Sequence, residues 1–145
     1  VTVRELIYGL VSMDPQLALL GINPDTTFAG GAPDSPPEAP GRTWAVLNWG
    51  QENGAGLVAR GRGRPSGRDC SLWVYSRHDD FGDINTALKR WCELMDALVA
   101  AKTGSGPNDG WVIETSWQGD SADGWDDVYK ANYRSSEYTI IASGD

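Results

Sequence analysis

The chain has 145 residues, the size of one ordinary domain, and its 40% hydrophobic content with seven tryptophans suffices for a packed core rather than a disordered chain. A formal net charge of −8 argues against general nucleic-acid binding, which draws most of its affinity from neutralised phosphates. No apolar run reaches the ~18 residues needed to span a bilayer, and the N-terminus lacks a basic-then-apolar leader pattern. A protein with no membrane contact, retained where it is made, is the expectation.

Thr2-Val-Arg-Glu5 has the spacing of a capping box and predicts a helix to about Met13, with Leu6, Ile7, Leu10 and Met13 as its apolar stripe. Asp14-Pro15 restarts a short helix ending at Gly21. Residues 23–42 hold most of the prolines and read as a surface arm, with a short strand at Thr27-Phe28 and a docking strap around Pro33 to Pro40. Thr43 to Trp49 alternates as a strand, placing Trp44 and Trp49 on opposite faces. Residues 50–67 form a Gly/Arg-rich loop, extended at most around Gly56-Leu57-Val58. Arg68 to Ser76 is the next strand, with Cys70, Leu72 and Val74 opposite Ser71, Trp73 and Tyr75.

Ile84, Ala87, Leu88, Trp91, Leu94, Met95 and Leu98 recur at helical spacing after Asp83, the expected cap, and Gly104 follows the helix. Trp111 to Trp117 is a third strand. An Asp/Gly-rich loop then runs to Lys130, and Tyr133 to Ala142 is a fourth strand. The reading is a single α+β domain over 1–145: an antiparallel four-stranded sheet in αββαββ order, helices on one face, long loops, and an exposed aromatic face suited to a partner. Trp44, Trp49, Trp73, Trp117 and Tyr138 are the candidate core or interface aromatics.

Catalytic signals are sparse. His78 with Asp79, Asp80 and Asp83 could offer a base or a metal site, but the cluster falls at a strand-to-helix turn where aspartates also act as caps. The segment from Asp120 to Asp127 fails as an EF-hand, since Gly119 and Lys130 occupy the first and twelfth ligand positions. No P-loop or nucleophile elbow occurs. Cys70 and Cys92 are expected to be free thiols. No enzyme activity, cofactor or metal is expected. Arg60-Gly-Arg62-Gly-Arg64-Pro65 resembles an AT-hook core, so a DNA-binding accessory role is one rival reading, and a small hydrolase or ligand-binding domain using His78 is another. Arg60, Arg62, Arg64 and Arg68 oppose an acidic C-terminal cluster, a distribution that lets copies meet head to tail; two solvated loops is the plainer account.

The strand ending Trp73-Val-Tyr75-Ser, the helix opening Asp83-Ile-Asn85-Thr-Ala-Leu88-Lys-Arg90, and Gly119-Asp120-Ser with Trp125-Asp-Asp127 before Tyr129-Lys-Ala-Asn132-Tyr133-Arg134 come in an order that resembles tail terminator proteins of siphophages, especially those infecting actinobacteria. The resemblance implies a virion protein at the head-proximal end of the tail, assembled in the host cytoplasm. It implies a homo-hexameric ring that ends tube polymerisation and contacts the tail tube protein and a head-completion or neck protein. DNA would pass through its lumen without sequence-specific binding. Arg60, Arg62 and Arg64 are the candidates for the lumen or a tube contact. A head-completion (stopper) protein of the same virion is the neighbouring alternative.

Overall fold

A computed structural model describes residues 1–30, 43–51, 53–54, 66–77, 81–106 and 109–143. The proline-rich stretch from Pro33 to Pro40, Gly56-Leu57-Val58, Arg60, Arg62, Arg64 and His78-Asp79-Asp80 lie outside these residues.

Helix α1 (Val3–Ser12) opens on the expected reciprocal box, in which the Glu5 amide donates to Thr2 Oγ1 and the Thr2 amide donates to Glu5 Oε2. Its buried stripe is Val3, Ile7 and Val11, whereas Leu6 and Leu10 are half-buried and Met13 is 75% exposed. The expected stripe was therefore rotated by about one position, because α2 (Pro15–Ala18) and the sheet approach α1 from the Val3–Ile7–Val11 side. Asp14 caps α2 by accepting the Leu17 amide, with Pro15 in the first turn.

The described strands join one sheet: β1 (Thr27–Phe28), β2 (Thr43–Trp49), β3 (Asn53–Gly54), β4 (Ser66–Ser76), β5 (Trp111–Asp120), β6 (Gly124–Asp126) and β7 (Ala131–Ser143). Its path runs β1-β2-β4-β7-β5, with β3 on β4 and β6 on β7. Strands β2, β4, β5 and β7 are the four that were expected, and their pairing is antiparallel. Three departures correct the four-stranded αββαββ reading. β1 adds in parallel to β2, β3 extends one edge of β4 within the segment read as loop, and β6 extends one edge of β7 within the Asp/Gly-rich loop. β1 stands where a short strand was expected at Thr27-Phe28, and tertiary pairing sets only its parallel partner; β3 and β6, of two and three residues, carry no readable period, and that pairing alone defines them. The central β4–β7 ladder runs from Ser66↔Ala142 to Ser76↔Asn132 without a break in register.

Helix α3 (Gly82–Asp96) buries Ile84, Ala87, Leu88, Trp91 and Met95, close to the expected stripe, with Leu94 half-buried. Its cap residue is Phe81 and no side chain caps it; Asp83 lies in the first turn, where a carboxylate still suits the helix dipole. All three helices share one core with Ala45, Leu47, Cys70, Leu72, Val74, Tyr138 and Ile140, the alternate residues of one sheet face. No helix among the described residues is long and apolar enough to cross a membrane.

Candidate interaction surfaces

The second sheet face departs from the exposed aromatic surface expected of it. Cross-strand pairing brings Trp44 opposite Tyr75, and Tyr75 opposite Tyr133. Trp44 and Tyr75 stack with ring centres 5.3 Å apart, and Tyr129 meets them edge-on at 5.9 and 5.4 Å. Trp44 is fully buried in this second core, and Tyr75 and Tyr129 are buried with it. Tyr129 reaches the face because the turn after β6 is pinned: its amide donates to Asp126 Oδ1 at 2.8 Å. Each such ring pair adds about 0.5–1.5 kcal/mol beyond the area it buries. Burial pushes the Tyr75 phenol up to about 12, with the Asp126 carboxylate adding to the effect.

Trp44 is thus a core residue, as is Tyr138, whose ring meets Trp91 edge-on at 5.9 Å and whose hydroxyl donates to Asp96 Oδ1 at 2.9 Å. Burial, with Cys92 and the Asp96 carboxylate beside the hydroxyl, holds the Tyr138 phenol well above its ordinary range. Trp73 is half-buried against Tyr133 at 5.5 Å, and its indole N–H donates to Ser71 Oγ. Trp49 is half-buried, with the guanidiniums of Arg4 and Arg68 over its ring at 5.3 and 5.7 Å. Of the five aromatics singled out in the sequence, Trp117 alone is an exposed large hydrophobic, at 56%.

Trp117 has a companion that the sequence reading left out of its candidate set. Trp125 is 54% exposed. The ladders put Trp117 opposite Tyr138 and Trp125 opposite Asn132, so both fall on one face of β7 near the edge formed by β5 and β6. Each indole is anchored by a carboxylate: Trp117 Nε1 donates to Asp120 Oδ1 at 3.0 Å, and Trp125 Nε1 donates to Asp127 Oδ1 at 3.1 Å. Arg134 ties the segment between them to the sheet, pairing with Asp123 at 3.4 Å and Asp120 at 3.7 Å while its Nε donates to the Ser121 carbonyl. A signal for Trp125 was available: a tryptophan amid Asp and Gly is an apolar side chain with no local core to enter.

The acidic loop therefore serves structure, with its carboxylates bound to indoles, an amide and Arg134. Among the described residues, no group of three or more His, Cys, Asp or Glu is arranged to hold a metal ion. Cys70 is buried and Cys92 half-buried, and neither is in a disulfide. On the helical side, an open groove of about 550 Å³ runs between α1 and α3, lined by Leu6, Leu10, Met13 and Leu94. At its end Arg90 donates from Nε and Nη2 to the two oxygens of Asp14, at 3.1 and 2.9 Å. That bond is the main cause holding the Asp14 carboxyl below its ordinary value of 3.8.

No family model matches the chain, and no curated protein does either. Among solved structures the chain is similar to one from the "Virion of native gene transfer agent (GTA) particle", with a TM-score of 0.67 and 17% identity. The match covers 99% of this chain and 96% of that one, so the two share a fold from end to end.

Proposed function

We propose that this chain is the subunit of a ring that closes the head-proximal end of a phage tail tube, ending tube growth and joining tail to head. The observation that carries the reading is the fold shared over nearly the whole of both chains with a component of a phage-like virion particle. The order of motifs in the sequence supports the tail terminator in particular. The protein works by contact alone, meeting sister copies, the tube protein and a head-completion protein, and no bond is made or broken. Its sheet suits that role: the β5/β6 edge carries anchored, exposed tryptophans, and the sequence gathers arginines and acids in separate segments, which favours a head-to-tail contact capable of closing a ring. Arg60, Arg62 and Arg64 are the residues we assign to the lumen or to a neighbouring subunit, where passing DNA is not read by base.

Electron microscopy of particles assembled without this protein tests the reading. Over-long tails lacking heads are expected. Filled heads beside detached tails of normal length would replace the terminator with a head-completion protein, which the same fold likeness accommodates. Intact particles of normal form would overturn both.

A further inference from the structure

We infer that the Trp117–Trp125 surface of one copy receives the arginine-rich stretch at 60–64 of a second copy of this chain. The inference rests on the ring reading above and names the contact that would build the ring.

Three observations define the receiving surface. Trp117 and Trp125 share a face and remain 56% and 54% exposed, an unusual allotment for two of the largest apolar side chains. Both are already set for docking. Asp120 and Asp127 accept their indole N–H groups, so covering the rings strands no donor and freezes little further motion. Carboxylates flank them, with the Asp123 and Asp127 side chains 63% and 87% exposed. Indole faces rimmed by carboxylates fit a guanidinium, which stacks and donates at once.

The occupant is identified by charge. Residues 42–77 carry six arginines against two acids, whereas residues 111–130 carry five acids against one lysine. The fold separates these segments. Gly54 and Ser66, the described residues nearest that stretch on either side, pair with each other where β3 meets β4, and β7 lies between β4 and the β5/β6 edge. A molecule with unlike edges meets its copies head to tail. The chain uses the same chemistry internally, placing Arg4 and Arg68 over Trp49 and Arg77 over Trp44 at 5.3, 5.7 and 5.7 Å.

Analytical ultracentrifugation of the full chain and two charge-reversed variants tests this contact. One variant is Arg60→Glu/Arg62→Glu/Arg64→Glu; the other is Asp123→Lys/Asp127→Lys, at exposed positions. Wild type should associate. Each variant alone should stay monomeric, since like charges then face each other, and an equimolar mixture should associate again because each supplies the edge the other has lost. Trp117→Ala/Trp125→Ala should weaken association by about 30-fold or more, the loss of a central anchor. Trp111→Ala, on the opposite face of β5, should not. A mixture as monomeric as its parts, while wild type associates, would overturn this contact and leave the ring reading standing. Wild type that stays monomeric at every concentration would overturn the inference as well, whereas the tail-length experiment judges the ring reading independently.

Discussion

At the scale of single residues, the most consequential placement is Trp44, read as either core or interface and found wholly enclosed. Its alternation on β2 told that it faces away from Ala45 and Leu47, but not that Tyr129 would close over it from a distant turn. Trp44→Ala should cost about 3–5 kcal/mol, measured by denaturant unfolding, because both stacking and transfer energy are lost with a cavity left behind. Tyr75 gives a pH signature. Its folded-state phenol is raised from 10.0 to about 12, so its contribution is whole below pH 10 and is lost as pH climbs through about 12. Stability measured across that window should fall, and Tyr75→Phe should flatten the fall. Asp14 works in the opposite sense. Its folded carboxyl lies below 3.8, so the stability it lends is present above that value and disappears as pH drops through the lowered one. Asp14→Asn should therefore lower the thermal midpoint at neutral pH and matter less in acid.

Among the elements, the β5/β6 edge shows how local irregularity shapes a surface. Register shifts at Val112/Glu114 and Trp117/Gly119 interrupt β5, and Gly119 sits at φ +133°, which side chains rarely tolerate. Bulges of this kind blunt a sheet edge against indiscriminate pairing while re-aiming its side chains. Where β6 lies along β7, a Cβ on Gly124 would come within 2.4 Å of the Tyr133 ring. Gly124→Ala should then displace that ring from Trp73 and cost about 1–3 kcal/mol, checked by thermal melting and near-UV circular dichroism. Glycine in an acidic run looked like turn chemistry; its actual constraint is a ring from a strand nine positions later.

For the whole molecule, the decisive property is the uneven spread of charge. Net −8 describes neither segment, since the arginines gather in residues 42–77 and the acids in residues 111–130. Association through such segments should weaken steeply as ionic strength rises and the Debye length falls from about 10 Å at 0.1 M to 3 Å at 1 M. Sedimentation across a salt series checks this; salt-insensitive association would point instead to the apolar groove between α1 and α3.

The sequence by itself determined the capping box, the Asp14-Pro15 start of α2, the short strand at Thr27-Phe28, the α3 stripe and the alternation of β2 and β4. Each is written in residues a few positions apart and follows from backbone geometry. It also showed the charge blocks and the sparseness of catalytic motifs. Tertiary structure decided the rest: the parallel β1, the colinear β3 and β6, the shift of the α1 stripe, and which tryptophans are buried. Those outcomes depend on partners brought from far along the chain. A tryptophan on a strand is inward or outward only once it is known what, if anything, crosses over it.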